Sequence, residues 1–388
     1  MSRLFRVEKI HSEIVSKGTL FKALKYIDAA DELDTPVLLL DKEKLREKAT
    51  LIGSQIGGAR VFYAVKAHPD VEVLRFFEGL GLGFEIASEG ELRILEGLGV
   101  DPERIITSNP MKSPKFLSMA AAYGVSHYAF DSRAEVEKMS SLAPGAKVYL
   151  RLTVPNEGSE WPLSRKYGVE LDEALPLLLY AREKGLNPVG ITFHVGSQCT
   201  NMYNWNNAIY KARTLWDMAA AEGLSLSVLN IGGGYPINYT KSVVAIEAIE
   251  KNIDMLIRDN FPERPEIFLE PGRSFVGDAG IFVATVIGKA PRLDENWLYM
   301  DVGVFNGLME SVGGIKYSYV LEDKKKEVEK KHYVVCGPSC DSFDVIDKDV
   351  RLPEPEVGDM ILILSAGAYT ISYASEFNGF SIPRTILI

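Results

Sequence analysis

Phe62-Tyr63-Ala64-Val65-Lys66-Ala67-His68-Pro69 runs from aromatic and β-branched residues straight into a lysine, and a proline closes it. That composition predicts a buried strand with Lys66 at its carboxyl end. A lysine there either snorkels to solvent or enters a cavity, where burial lowers the pKa of its amine. The second setting yields the neutral amine that a Schiff-base lysine needs to attack an aldehyde. Taken alone, the stretch favours snorkelling, and the neighbouring sequence decides the matter.

On both sides of this stretch, strand and helix patterns alternate. Apolar β-rich runs fall at 61–65, 84–87, 105–107, 127–130, 148–152, 190–194, 228–231 and 267–269. Helical periodicity lies between most of them, as at 89–98, 172–184, 204–222 and 245–258. Eight such strands predict an α/β fold, a (β/α)8 TIM-like barrel rather than an open sheet. A short strand at 35–41 precedes them and lies outside the barrel. After Glu270 the texture changes to short strands at 281–287, 297–299, 317–321, 332–336, 360–365 and 384–388, with Gly, Pro and charged loops between. This predicts a C-terminal all-β domain. The expected division is an N-terminal segment 1–35 packing with the β domain, a barrel over 36–273 and a β-sandwich or barrel over 274–388.

Bulk properties narrow the function classes. The 388 residues are 46% hydrophobic and 25% charged, ordinary for a globular protein of two domains. A formal net charge of −10 argues against a nucleic-acid or anionic-membrane partner and suits a cationic substrate. The three cysteines, Cys199, Cys336 and Cys340, are too few and scattered for a disulfide framework or a metal site, which points to a reducing, cytoplasmic setting. The first residues lack the apolar core of a signal peptide, and no apolar run is long enough to span a bilayer.

In such a barrel, chemistry sits at the carboxyl ends of the strands. Those ends carry Lys66, Glu85 with Ser88 and Glu91, Asn109, Asp131, Arg151, His194 with Ser197, Gly232-Gly233-Gly234, and Glu270 with Arg273. Functional side chains at one end of nearly every strand overturn the bland reading of Lys66. Three glycines in a row let backbone amides converge on an anion, although tight turns use them too. Arg273 suits the same phosphate, whereas Glu270 suits a protonated heterocyclic nitrogen; the alternative is a surface ion pair. His194, otherwise a candidate core histidine, offers a flat ring for stacking on a flat cofactor. Lysine, phosphate cradle and ring-nitrogen carboxylate together describe a site for pyridoxal 5′-phosphate. A protonated ring is a strong electron sink and favours carbanion chemistry such as decarboxylation.

The β region adds Cys336-Gly337-Pro338-Ser339-Cys340-Asp341-Ser342-Phe343-Asp344, dense in reactive types. Cys336 reads as a buried structural thiol, which Cys340 beside Asp341 fits less well. Gly367-Ala368-Tyr369-Thr370 supplies a phenol, as phosphate ligand or core residue. The loop from Asp301 to Glu310 carries an acid at each end, to read a substrate ammonium or simply to be solvated.

These motifs, in this order, resemble the fold-type III pyridoxal-phosphate decarboxylases, most closely the ornithine/lysine decarboxylase branch of bacterial type. The resemblance runs from about Thr35 to the C-terminus and includes Glu160-Trp161-Pro162-Leu163-Ser164-Arg165-Lys166-Tyr167-Gly168. It implies a Schiff base on Lys66, His194 on the ring face and Glu270 on the ring nitrogen. It implies Ser197, Gly233, Gly234, Arg273 and Tyr369 at the phosphate, Glu85 and Arg151 ordering the pocket, and Glu91 near Lys66. Cys340 matches the residue that protonates the carbanion after a quinonoid forms, and Asp341 an acid for the substrate's distal ammonium. Both reach the neighbouring subunit's site, so a homodimer with shared active sites is implied. The family's second aspartate aligns on Val302 with Asp301 beside it, which makes Asp301 a substrate-binding candidate and leaves chain-length selection open. The expected reaction is decarboxylation of a small basic amino acid, L-ornithine to putrescine and also L-lysine to cadaverine. Competing readings are decarboxylation of diaminopimelate, carboxynorspermidine or a siderophore precursor, and a non-catalytic cofactor-binding regulator. The acids argue against carboxylate-bearing substrates, and the intact Lys66, His194, Glu270, Cys340 and Asp341 against the regulator.

Overall fold

The computed structural model of the chain describes residues 5, 7, 9–30, 32–162, 166–322 and 329–388. Three residues of the motif at 160–168 and most of the first eight residues lie outside this set. Strands in chain order are β1 (Val37–Leu40), β2 (Arg60–Ala64), β3 (Gly83–Glu85), β4 (Ile105–Thr107), β5 (His127–Phe130), β6 (Lys147–Arg151), β7 (Ser159–Trp161), β8 (Asn187–Thr192) and β9 (Ser197–Cys199). They continue with β10 (Val228–Asn230), β11 (Glu266–Leu269), β12 (Gly280–Arg292), β13 (Glu295–Met300), β14 (Tyr319–Leu321), β15 (Lys331–Cys336), β16 (Val345–Leu352), β17 (Met360–Leu364) and β18 (Arg384–Leu387).

The strands β10-β11-β2-β3-β4-β5-β6-β8 close into a parallel barrel, as the alternating pattern predicts. Its strands are short and buried because helices cover them outside and side chains fill them inside, so they read as apolar runs rather than alternating ones. Four of the covering helices begin at side-chain caps: Asp70, Ser88, Ser113 and Ser132 each accept a hydrogen bond from a first-turn N–H. The caps Ser88 and Ser132 start their helices close after the strand ends at Glu85 and Phe130, whereas longer loops precede Asp70 and Ser113.

The second sheet runs β14-β17-β12-β13-β15-β16, and β1 joins it between β12 and β18. Val37–Leu40 therefore belongs to this sheet and not to the barrel. The helices Lys9–Ile14 and Lys17–Ala29 pack on the same sheet through Ile14, Leu20, Ala23 and Ile27 against Val283, Leu362 and Leu364. The sequence pattern missed β16, and β12 is longer than the expected 281–287. A further small sheet, β7 with β9, lies beside the mouth and was also unforeseen. Among the described residues no helix is long and apolar enough to cross a membrane.

Candidate active site

Strand β2 stops at Ala64, and residues Val65–Ala67 form a single tight turn that aims Lys66 into the mouth. The register of β2 on β3 sets Ala64 opposite Glu85, so the Glu85 carboxylate lies 3.1 Å from the Lys66 Nζ. Burial pulls the Lys66 pKa down, but Glu85, Tyr369 and Glu270 outweigh it and hold the amine above the ordinary lysine value. This corrects the expectation of a depressed amine, because the counter-charges come from neighbouring strands. Glu91 stands behind, accepting the Ala87 N–H at 2.7 Å, and burial raises its carboxyl to about 7.

Glu270 follows the end of β11. Its Oε1 accepts hydrogen bonds from the Ser108 hydroxyl and the Asn230 amide, and Ser108 also meets the Tyr149 hydroxyl at 2.7 Å. Burial, then the nearby Glu85, raises Glu270 to about 7. Arg151, at the end of β6, lines the mouth near the Tyr167 ring, and burial lowers its pKa from the usual guanidinium value. Burial, together with Arg151 and Lys66, drives the His194 pKa well down. Its Nδ1 accepts the Gly196 N–H at 3.0 Å, which fixes the ring as a neutral, flat surface.

The glycines after β10 are dictated by close approach. A Cβ on Gly233 would lie 2.5 Å from the Glu270 carbonyl oxygen, and one on Gly234 the same distance from that of Gly196. Among the described residues neither the Gly233 nor the Gly234 N–H has an acceptor. Backbone donors left open in this way, one on the buried Gly233 and one on the part-buried Gly234, call for an external acceptor such as a phosphate. Nearby, Arg273 donates to Ser197 Oγ at 3.1 Å and grips Glu310 in a two-pronged pair at 2.6 and 2.7 Å. Tyr369 holds a left-handed backbone (φ 55°), tied down by its N–H to the Ala67 carbonyl at 2.8 Å. Such a conformation in a non-glycine residue costs about 1–3 kcal/mol and persists where the surroundings fix it.

These groups share one cavity of about 270 Å³. Lys66, Arg151, His194, Ser197, Glu270, Arg273 and Tyr369 line it, with Glu310 opposite. Glu85 meets it through Lys66, and Gly233 and Gly234 border it behind Ser197 and Glu270. Trp161 and Tyr373 also line it, and Trp161 packs so closely on Gly313 that a Cβ there would overlap its ring. The structure does not bring Asp301, Cys340 or Asp341 into this cavity. Asp301 is tied by Oδ2 to the Thr35 hydroxyl at 2.6 Å and by Oδ1 to the Thr285 N–H at 2.9 Å, a structural position. Of the two acids bounding its loop, Glu310 is the one that faces the mouth. Cys340 is exposed, its Sγ donating to Asn378 Oδ1 at 3.3 Å, and Asp341 beside it accepts the Phe343 N–H at 2.8 Å.

Sequence reasoning did not single out Ser108, Tyr149 or Asn230, although Ser108 follows the end of β4 and Asn230 closes β10; Tyr149 sits mid-strand in β6. The residues present fit pyridoxal phosphate: an amine for the aldehyde, a neutral flat ring, a carboxyl anchored for the ring nitrogen, and open backbone donors for the phosphate.

Known proteins agree with this geometry. Residues 42–277 match the family model described as "Pyridoxal-dependent decarboxylase, pyridoxal binding domain". The chain is 38% identical over 363 residues to a lysine/ornithine decarboxylase of Selenomonas ruminantium, covering 92% of this chain and 91% of that protein. A lysine/ornithine decarboxylase from Vibrio vulnificus, solved with cadaverine, superposes with a TM-score of 0.87 at 30% identity, over 97% of this chain and 100% of that one. The arginine decarboxylase of Paramecium bursaria Chlorella virus superposes at 0.88 with 28% identity, over 95% of this chain and 100% of that one.

Proposed function

The chain belongs to the pyridoxal-dependent decarboxylases, and from that premise we propose that it decarboxylates L-ornithine, and L-lysine beside it, releasing putrescine or cadaverine. The observation that carries this reading is a buried carboxylate, Glu310, facing the same cavity as Lys66 and Glu270. With a phosphate competing for the Arg273 guanidinium that now balances it, an acid there suits the distal ammonium of a basic amino acid and repels a distal carboxylate. Diaminopimelate is disfavoured on that ground.

Bound in this cavity, pyridoxal phosphate supplies an aldehyde to capture the substrate amine and a ring to accept the electrons left by departing carbon dioxide. The protein's own groups do the rest. Lys66 gives up the proton that Glu85 now stabilises before its nitrogen can bond a carbon, and the Glu85 carboxylate is placed to take it. Glu270 holds a proton at the ring nitrogen, with Ser108 and Asn230 fixing its other oxygen. The neutral His194 ring covers one face without adding a charge that would oppose that proton.

A proton must return to Cα, and the cavity of one chain offers no thiol for it. Cys340 and Asp341 lie exposed on the second domain, beside an aromatic cluster in which Phe305 meets Phe377 at 4.5 Å and Phe343 at 6.3 Å. An exposed thiol, acid and apolar rings together suit insertion into a second copy. In this proposal Cys340 delivers the proton and Asp341 joins Glu310 at the distal ammonium, each across a homodimer interface. Carbon dioxide release measured side by side on ornithine, lysine, arginine and diaminopimelate tests the substrate assignment. Ornithine and lysine should turn over fastest; faster release from arginine or diaminopimelate would overturn it.

A further inference from the structure

We propose that Arg273 couples the two charged ends of the cavity, so that a cation held at Glu310 tightens binding of the cofactor's phosphate. The inference rests on the cavity being a pyridoxal phosphate site. A guanidinium has five N–H donors, and here all five are engaged. Nε and Nη2 donate to Ser197 Oγ, each at 3.1 Å. Nη1 donates to Tyr239 Oη and to Glu310 Oε2 at 2.6 Å, and Nη2 to Glu310 Oε1 at 2.7 Å. Both members of the ion pair are almost fully buried. Arg273 therefore has no donor to spare for a phosphate unless a present partner yields.

The Ser197 hydroxyl can continue to accept from Arg273 while turning its own proton to a phosphate oxygen, so it has no need to leave. Glu310 is different. A phosphate at Ser197 sets a second anion against the guanidinium that balances the Glu310 carboxylate, and like charges repel strongly in a desolvated site. Among the described residues no other lysine or arginine pairs with Glu310, and Lys66 is engaged by Glu85. Glu160, exposed nearby, adds negative charge rather than relieving it. An ammonium arriving at Glu310 restores the balance and frees the guanidinium fork for the phosphate. Linkage then runs both ways: phosphate improves the ammonium site by the factor that ammonium improves the phosphate site.

The test measures affinity, not turnover. Pyridoxine 5′-phosphate carries the ring and phosphate but no aldehyde, so it cannot react with Lys66 or with an amine. Its Kd for the cofactor-free protein is read from tryptophan fluorescence, Trp161 lining the cavity, with and without cadaverine at matched ionic strength. In the wild type cadaverine should lower Kd on the order of tenfold. Glu310→Gln should bind pyridoxine phosphate more tightly than wild type without cadaverine, and lose most of the cadaverine effect. Glu310→Asp, which keeps the charge, should retain that effect and guards against a folding artefact. An equal cadaverine effect in wild type and Glu310→Gln, or none in the wild type, would overturn the coupling. Failure of the wild type to bind pyridoxine phosphate at all would instead overturn the cofactor reading, and the coupling with it.

Discussion

At the barrel mouth three charged side chains are answered within their own chain: Lys66 by Glu85, Glu270 by Ser108 and Asn230, Arg273 by Glu310 and Ser197. The Cys340–Asp341 loop contrasts with it at every point. Its thiol and acid are exposed, and beside them Phe343 leaves 56% of its surface in solvent. The loop is nonetheless firmly built, since the buried Asp344 accepts the N–H groups of Val304 and Ser339 at 2.7 and 3.0 Å. One region is finished by its own fold; the other is firmly built, exposed and, in the proposed dimer, incomplete by itself. The difference is what the proposed dimer would explain: one half of the machinery is assembled by folding, and the other half would be assembled by association.

The largest expected effect probes the finished region. Lys66→Ala should remove the visible absorbance of lysine-bound cofactor and lower turnover by at least about three orders of magnitude; retained absorbance would contradict its role. Next comes the incomplete region. Cys340→Ala should slow turnover by about a hundredfold or change the product. Mixing it with Lys66→Ala should restore roughly a quarter of wild-type activity, since half of randomly paired dimers are mixed and each holds one intact site. No recovery in a mixture shown to exchange subunits would break the contrast.

Smaller effects sharpen it. Glu310→Gln removes the charge facing the ammonium and should reduce kcat/KM for ornithine and lysine by about 2–3 kcal/mol, or 30- to 150-fold. Glu270 supplies a pH signature. Its folded pKa, raised to about 7, exceeds the unfolded value, so its contribution is present below the unfolded pKa and is lost as pH climbs through 7. In the cofactor-free protein, the stability of wild type relative to Glu270→Gln should fall between pH 5 and 8 by up to about 3 kcal/mol. Denaturant midpoints at the two pH values check the sign. The least effect belongs to Asp301→Asn, which should cost about 1 kcal/mol of stability and leave the ornithine-to-lysine ratio unchanged.

The barrel was legible because its strands are short apolar runs that end in polar residues, a pattern readable one segment at a time. Strand β16 was not, because Asp347, Lys348, Asp349 and Arg351 break the apolar run of a strand paired on one side only. Site residues contributed singly by strand ends, such as Lys66, His194 and Glu270, could be read in the same way. Their pKa values could not, since Glu85 reaches Lys66 through strand register rather than proximity in sequence. Ser108 adjoins the Asn109 that attracted notice, and Asn230 precedes the three glycines, so the strand-end signal was present one or two residues away. The choice between Asp301 and Glu310 lay beyond the sequence. It is set by the short helical turn Met309–Gly313 and by the packing of Trp161 on Gly313.

Everything proposed here requires that Lys66 is the residue that bonds the cofactor. Borohydride reduction of the protein loaded with pyridoxal phosphate, followed by peptide mapping, reads that bond directly. The account predicts a phosphopyridoxyl adduct on Lys66; an adduct confined to another lysine, such as the buried Lys112, or no adduct at all, would contradict it.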